Sequence, residues 1–211
     1  MKTNSHQQNY SAKDYAAKIK EKISTLGKIA ETVSWQDKKI YGNFIAQSFY
    51  YVRNSTRILA LAAARFSLKQ NEAHQRFLKH ISEENHHERL LENDLKALGY
   101  SIEQFPEQSA IRAFYQIQYY LIEHRDPMAV MGFILALEGL AVEKGVWLSE
   151  KIKEFHGPKC GTFMKVHAAE DVDHLQSALQ LLNGLPENTM VEIMEALDTC
   201  IYLYGRMMKD L

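Results

Sequence analysis

Two histidines and an aspartate share one face of a helix-forming segment near residue 170. His167, Asp171 and His174 stand at positions i, i+4 and i+7 of the run KVHAAEDVDH, and at about 100° per residue their side chains fall within an arc of roughly 60°. Two imidazoles and a carboxylate are typical of a transition-metal site, since imidazole favours Fe, Zn, Cu or Ni over Ca or Mg. The competing interpretation is a solvated charged face, to which Glu170 and Asp173 would belong.

A second pair of metal-binding residue types lies in the run HISEENHHE. Glu84 and His87 are three positions apart on a predicted helix, so one carboxylate and one imidazole could bind the same metal ion or two adjacent ions. An isolated pair of this kind is usually solvated. His80 lies on the same face, and we expect it to support the site or to be exposed rather than to be a ligand.

Glu138 is an isolated carboxylate in the apolar run ILALEGLAV. Burying a bare charge costs several kcal/mol, so this side chain must be paired, metal-bound or neutralised. One alternative is an ion pair with Arg53 or Lys144. Because Glu138 comes alone from the segment expected to be most buried, we expect it to be the carboxylate that bridges two metal ions.

The three segments together offer three imidazoles and three carboxylates, a set that suits two divalent ions sharing a bridging carboxylate. The six predicted metal ligands are Glu84, His87, Glu138, His167, Asp171 and His174. A ferritin-like site would need a further single Glu from the second long helix. No Glu lies between Glu31 and Glu72, and His167 has no place in such a site.

Candidate substrate-binding residues lie on the second predicted helix. Tyr50, Tyr51 and Arg53 occupy a segment expected to face the core, and the planar fork of an arginine suits a substrate carboxylate. The alternative is that the tyrosines only fill the core. We predict no catalytic side chain beyond the metal ligands.

Prolines and glycines divide the chain into helical segments that would position these residues. No alternating strand pattern of useful length is present, and Gly99 and Gly184 suit the ends of two helices. We predict one all-α domain over residues 11–211, a seven-helix bundle, preceded by a flexible tail at residues 1–10. The predicted helices span about 11–26, 36–67, 70–98, 107–124, 127–155, 160–183 and 187–209.

Composition excludes several classes of protein. The 211 residues include 25 basic and 26 acidic side chains, which argues against a nucleic-acid-binding protein. The apolar run Met128–Val142 is shorter than the roughly 20 residues of a membrane span, and the polar N-terminus has no signal-peptide pattern. Cys160 and Cys200 form no CxxC pair. We therefore expect a cytoplasmic protein without membrane or nucleic-acid partners.

The chain resembles the heme-oxygenase-like di-iron oxidases, relatives of the TenA thiaminases and of pyrroloquinoline-quinone synthase. The resemblance rests on four motifs between about residues 36 and 183: QxxYYVR from Gln47, EExxH from Glu83, LEG from Leu137 and HxxxDxxH from His167. It implies a seven-helix fold, two non-heme iron ions with O2 as co-substrate, and the six residues above as the complete metal set. The implied activity is oxidation of an amine, amino acid or fatty acid by N-oxygenation or C–C cleavage.

Three alternatives stay open at this point: a non-catalytic member of the same fold, a thiaminase-like enzyme, and a ferritin-like metal-binding protein. A thiaminase-like enzyme needs an activated cysteine, and neither Cys160 nor Cys200 has such surroundings in the sequence. We expect a small-molecule substrate. We also expect a homodimer, for which the apolar stripe of the last helix is a possible seam.

Overall fold

This computed structural model describes residues 12–211 of the chain. They form eight α-helices and three short 3-10 helices, joined by turns. The predicted tail at residues 1–10 lies outside the described residues. No strand occurs in residues 12–211, so the prediction of an all-α fold is confirmed. The α-helices are α1 (Ala12–Thr32), α2 (Lys38–Arg65), α3 (Asn71–Glu83), α4 (His87–Ala97), α5 (Ser109–His124), α6 (Met131–His156), α7 (Thr162–Leu181) and α8 (Glu187–Lys209).

The third of the seven predicted helical segments is broken in two at the metal-binding residues. The α3 helix ends at Glu83, the N–H of Glu84 still donates to the carbonyl of His80 at 2.9 Å, and α4 begins at His87. His86 has φ +73°, a left-handed conformation that histidine adopts more readily than most side chains. Glu84 and His87 therefore lie on either side of a turn and not on one continuous helix face.

The long α6 helix forms the centre of the bundle and lies against α1, α7 and α8. Its first turns are apolar on every side, as expected for a helix surrounded by others. A Cβ atom on Gly132 would lie only 2.4 Å from the backbone nitrogen of Leu197, so α6 and α8 meet backbone to backbone there. This packing holds Glu138, two turns later, inside the protein. No described helix combines the length and apolarity of a membrane span.

A buried carboxylate connects α4 to the start of α7. Asp94 is fully buried, and its two carboxylate oxygens accept hydrogen bonds from the backbone N–H groups of Thr162 and Phe163, both at 2.9 Å. These N–H groups have no partner within their own helix, because the first turn of any helix leaves its donors free. Asp94 thus fixes the helix that carries His87 against the helix that carries His167.

Candidate metal centre

Two groups of potential metal ligands lie next to each other inside the bundle. In each group the ligand atoms of three side chains lie within 4.8 Å of one another. Each group offers two imidazoles and one carboxylate, the combination that non-heme Fe(II) sites use while keeping positions open. We call them triad A (His80, Glu138 and His174) and triad B (Glu84, His87 and His167).

Triad A draws one residue from each of α3, α6 and α7. His80 Nε2 lies 3.2 Å from Glu138 Oε1, and the rings of His80 and His174 meet edge to face with centroids 4.8 Å apart. Glu138 and His80 are buried, with 6% and 7% of their side chains exposed, and His174 is partly buried, with 11% exposed. Burial lowers the pKa of His80 to about 4, so this imidazole is neutral near pH 7 and has a lone pair available for a metal ion.

Triad B surrounds the turn between α3 and α4. Glu84 Oε2 lies 3.3 Å from His87 Nδ1 and 3.9 Å from His167 Nε2. His167 Nδ1 lies 3.0 Å from the carbonyl oxygen of Phe163, and since a carbonyl can only accept, Nδ1 must carry the proton. Nε2, which faces Glu84, is then the nitrogen that could bind a metal once it is deprotonated, and a backbone partner of this kind fixes the orientation of a metal-binding histidine.

Glu84 is the carboxylate that faces both triads. Its Oε1 atom lies 4.0 Å from His80 Nε2 in triad A, while its Oε2 atom faces the two imidazoles of triad B. Glu84 thus lies between the two triads, and Glu138, the bridging carboxylate predicted from the sequence, lies within triad A. Asp171 is a third buried carboxylate beside them, with Oδ1 3.2 Å from His174 Nδ1.

The surroundings of Glu138 fit a metal ligand. Neither of its carboxylate oxygens has a hydrogen-bond partner, although both are buried, and an unsatisfied buried acceptor of this kind is costly. Desolvation by burial raises the pKa of Glu138 to about 8, although the nearby Arg76 opposes the shift. The cation beside Glu138 is thus Arg76, whose Nη2 lies 3.9 Å from Oε1, and not Arg53 or Lys144. A bound divalent ion would satisfy both oxygens.

The pKa of Glu84 is lowered, in contrast to that of Glu138. Burial alone would raise its pKa, but the close imidazoles of His167 and His87 outweigh that effect and lower the pKa of Glu84 below its ordinary range. Burial alone would lower the pKa of His167, but Glu84, Asp171 and the Phe163 carbonyl together outweigh that effect and raise it. Without metal and near pH 7, Glu84 is ionised while Glu138 carries a proton. Two carboxylates with pKa values shifted in opposite directions are a common mark of a functional site.

A narrow cavity of about 90 Å³ adjoins both triads. His80, Glu84, Glu138, His167 and Asp171 reach it from the side of α3, α6 and α7. The opposite side, formed by α2, α8 and the residues just before α2, is almost entirely apolar and aromatic. The apolar lining there includes Trp35, Phe44, Val52, Leu59 and Met208.

Of the three predicted substrate-binding residues, only Tyr51 lines this cavity. Its hydroxyl lies 3.5 Å from that of Tyr204, also in the wall. The Tyr50 hydroxyl donates instead to the carbonyl of Phe105 at 3.0 Å. Arg53 is exposed, with its guanidinium 5.7 Å from the ring of Phe49. Tyr50 and Arg53 lie on other faces of α2, and the structure brings neither to the cavity.

Two residues of the site are absent from the set predicted by sequence. His80 belongs to triad A, and Arg76 approaches Glu138 while donating to the carbonyl of His174 at 3.2 Å. The sequence signal that could have found them is spacing. Arg76, His80 and Glu84 stand at i, i+4 and i+8, so they would share one helix face. A face with this spacing is common on solvated helices, which is why the sequence predicted His80 to be supporting or exposed and did not single out Arg76.

The cysteines lie away from this site. Neither Cys160 nor Cys200 lines the cavity. Burial raises the pKa of both thiols, that of Cys200 to about 12. An activated nucleophile needs a lowered thiol pKa, so these residues give no support to a thiaminase-like reaction.

Comparison with known proteins gives a family match that covers most of the chain. The family described as iron-containing redox enzymes matches residues 42–205, a range that includes every residue of both triads. Among curated proteins, none matches the chain significantly.

Several solved structures share the fold at low sequence identity. A domain of unknown function with a heme oxygenase-like fold from Shewanella denitrificans is 16% identical, with a TM-score of 0.81 over 92% of this chain and 90% of that one. A TenA homolog from Pseudomonas syringae pv. tomato is 15% identical, with a TM-score of 0.75 over 95% and 96%. A CADD-like protein of unknown function from Nostoc punctiforme is 13% identical, with a TM-score of 0.74 over 94% and 96%. The predicted heme-oxygenase-like fold is therefore confirmed.

Proposed function

Because this chain belongs to the family of iron-containing redox enzymes, we propose that it is a non-heme di-iron oxidase that uses O2 to oxidise a small organic molecule. The observation that carries the proposal is the pair of two-histidine, one-carboxylate triads beside a narrow, largely apolar cavity. Each triad alone is a suitable Fe(II) site. Their closeness, with Glu84 facing both, suits two ions that act together.

The proposal assigns a role to each ligand. His80, Glu138 and His174, with Asp171 beside them, would hold one ion. Glu84, His87 and His167 would hold the other, and Glu84 would bridge the two. When bound, the two irons supply O2 activation, chemistry that no amino-acid side chain provides. Glu138 would release its proton on becoming a ligand, since a carboxylate binds metal in its ionised form.

Surrounding residues of the chain hold the ligands in place. The Arg76 guanidinium donates to the carbonyl of His174 and to Ser177 Oγ, both at 3.2 Å, so its position relative to α7 is fixed. From there it faces Glu138 and compensates part of its charge once the carboxylate is ionised. The apolar walls of the cavity keep water from the reacting groups and preserve the low dielectric in which these charges interact strongly.

Iron counting tests the proposal directly. Protein reconstituted anaerobically should bind about two Fe(II) ions per chain. The His167→Ala variant, which loses a ligand of triad B, should bind about one. His124→Ala is the matched control, because His124 is exposed at the end of α5, and it should bind as the unmodified protein does. One ion or none in the unmodified protein would contradict the dinuclear site.

Oxygen consumption separates an oxidase from a protein that only stores metal. The iron-loaded protein should consume O2 faster when a suitable small molecule is present, and the stimulation should vanish in His167→Ala while remaining in His124→Ala. Stoichiometric iron without any stimulated O2 uptake across a broad set of amines, amino acids and carboxylic acids would favour metal binding without catalysis.

A further inference from the structure

A depression of about 280 Å³ lies on the outer surface between α3 and α7, directly outside triad A. His80 and His174 form part of its lining, so two of the three residues of triad A face it. Glu138 lines the inner cavity and not the depression. The two imidazoles therefore separate the depression from the buried carboxylate.

A second carboxylate faces the same imidazoles from outside. Glu83 is the last residue of α3, and its Oε2 atom lies 3.3 Å from His174 Nε2 and 3.7 Å from His80 Nδ1. The other nitrogen of His80, Nε2, lies 3.2 Å from Glu138 Oε1. The Glu83 side chain is 31% exposed and that of Glu138 only 6%. The imidazole of His80 thus stands between a carboxylate that solvent reaches and one that is buried.

The rim of the depression is acidic. Glu170 and Asp173 are exposed on α7 and line the depression together with Glu83. Carboxylates grouped at the mouth of a cleft raise the local concentration of cations and the rate at which they enter. The outer side of triad A is therefore suited to collect a cation.

Two cationic side chains also line the depression. Lys79 Nζ lies 3.0 Å from Glu83 Oε1, which leaves Oε2 directed at the imidazoles. The Lys79 side chain is 78% exposed, and an exposed ion pair of this kind is weak. Arg76 donates to the carbonyl of His174 and faces Glu138, so its charge is directed inward.

The buried end of this row of donors lacks a cation. Both oxygens of Glu138 are buried without a hydrogen-bond partner, as they would be at a metal site without its ion. A divalent ion that approached along the apolar wall of the inner cavity would lose its water without gaining ligands. On the side of the depression, oxygen and nitrogen donors instead follow one another from the rim to Glu138.

From these contacts we propose that the depression is the entrance through which a divalent metal ion reaches triad A. Glu83 Oε2 and His174 Nε2 would bind the incoming ion first, and His80 and Glu138 would then take it over. Glu83 is not a resident ligand, so it speeds uptake and release alike. This inference rests on the proposed function, because it takes triad A to be an iron site.

Stopped-flow uptake of Co(II) by the metal-free protein, followed by visible absorption, tests the entrance. His167→Ala retains all of triad A and so assigns the signal to that triad. Adding Glu83→Gln should slow uptake at least about fivefold and slow release to a chelator by a similar factor, with the dissociation constant within about twofold. Loss of a resident ligand would instead speed release. An unchanged uptake rate, or faster release, would overturn the proposal.

Lys79→Gln tests the same step with the opposite sign. It removes the cation beside Glu83 and should speed Co(II) uptake by about twofold or more at low ionic strength, an effect that added salt should reduce. Glu72→Gln is the matched control, because it removes one negative charge from the exposed first turn of α3, and it should change neither rate. If Glu72→Gln slowed uptake as much as Glu83→Gln, net charge alone would set the rate and the entrance would be disproved.

Iron counts on the same preparations separate failure of this inference from failure of the proposed function. Glu83→Gln in the otherwise unmodified chain should still bind about two Fe(II) ions after long anaerobic incubation. A loss of one ion at equilibrium would make Glu83 a resident ligand and overturn its role at the entrance. Two ions in the unmodified protein with unchanged Co(II) rates in Glu83→Gln would reject only the entrance, whereas fewer ions in the unmodified protein would reject the function itself.

Discussion

At the scale of single residues, two carboxylates with the same chemistry are kept in different charge states by their neighbours. Glu84 lies between imidazoles that stabilise its ionised form, and burial raises the pKa of Glu138 to about 8. The two would therefore respond differently to a metal ion: Glu84 is already ionised, and Glu138 would first lose a proton. Metal binding at triad A should consequently strengthen as pH rises toward 8.

The raised pKa of Glu138 predicts a pH-dependent stability of the metal-free protein. Between its unfolded value of 4.5 and its folded value of about 8, Glu138 binds more protons in the folded state, so the free energy of unfolding should fall as pH rises, by at most about 1.4 kcal/mol per unit. Glu138→Gln removes this slope. Urea unfolding between pH 5.5 and 8.5 with a chelator should show the variant gaining stability relative to the unmodified protein.

The control for that measurement is Glu150→Gln, which changes an exposed carboxylate on the same helix. Its stability should follow that of the unmodified protein at every pH. If the free energy of unfolding of Glu138→Gln changed with pH as that of the unmodified protein does, the pKa of Glu138 would not be raised by folding.

His80 provides a prediction that sequence alone did not make. As a ligand of triad A it should be as important as His174, so His80→Ala and His174→Ala should each bind about one Fe(II) ion per chain instead of two. Iron analysis after anaerobic reconstitution and desalting gives the count. If His80→Ala still bound two ions, His80 would not be a ligand and would only lie beside the ligands, as we expected from the sequence.

At the scale of helices, the sequence predicts the number and order of segments better than their interruptions. Proline and glycine mark most boundaries physically, and Gly99 and Gly184 do end helices in the left-handed conformation, with φ of +78° and +79°. The break at His86 carries no such mark, because EENHH is compatible with a helix. In the structure this turn leaves Glu84 Oε2 3.9 Å from His167 Nε2 and the His87 ring 4.9 Å from that of His167.

The sequence also predicts poorly which face of a helix lines the cavity. The sequence identifies the predicted ligand face of α7 because His167, Asp171 and His174 repeat on that face. It cannot tell which face of α2 turns to the cavity, since aromatic residues occur on several. Tyr51 and Tyr50 are adjacent, yet one lines the cavity and the other bonds to Phe105. Contacts with distant segments decide between them, and these are not local information.

Asp94 gives a prediction about the alignment of α4 and α7. Asp94→Ala leaves two buried backbone donors without a partner and should lower the free energy of unfolding by about 1–3 kcal/mol. It should also weaken iron at triad B, because His87 and His167 lose a shared anchor. Denaturant unfolding and iron titration on the same preparation measure both effects.

Asp37→Ala is the matched comparison for Asp94→Ala. Asp37 also accepts from two backbone N–H groups, at 2.8 and 3.1 Å, but at the exposed start of α2. It should lose about 0.5–2 kcal/mol of stability with iron binding unchanged. Equal iron affinity in the two variants would show that Asp94 stabilises the fold without aligning the ligands.

At the scale of the whole molecule, the two triads would connect helices that are distant in sequence. Their ligands come from α3, α4, α6 and α7 and from the turn at Glu84. Any metal bound there must be lost before these helices separate. Metal should therefore stabilise the folded chain as a whole and not one helix alone.

Removal of iron should accordingly lower the melting temperature. With free Fe(II) at 100 times its dissociation constant, one site adds about 2.7 kcal/mol to the free energy of unfolding. Anaerobic calorimetry with Fe(II) and with a chelator gives the difference. Mg²⁺ is the control, because it prefers oxygen ligands and should stabilise little. Equal melting temperatures with Fe(II) and with the chelator would contradict a site that spans the bundle.

The break between α3 and α4 would also set the order in which two bound ions exchange with solvent. Triad A takes all its ligands from within helices, where backbone hydrogen bonds hold each residue on both sides. Triad B takes Glu84 and His87 from the two ends of a short turn around Asn85 and His86, and local opening of a turn requires far less free energy than global unfolding. An ion at triad B would then leave first, while an ion at triad A stays bound. A chain isolated with a single iron would therefore hold it at His80, Glu138 and His174, and refilling would begin from that half-occupied state.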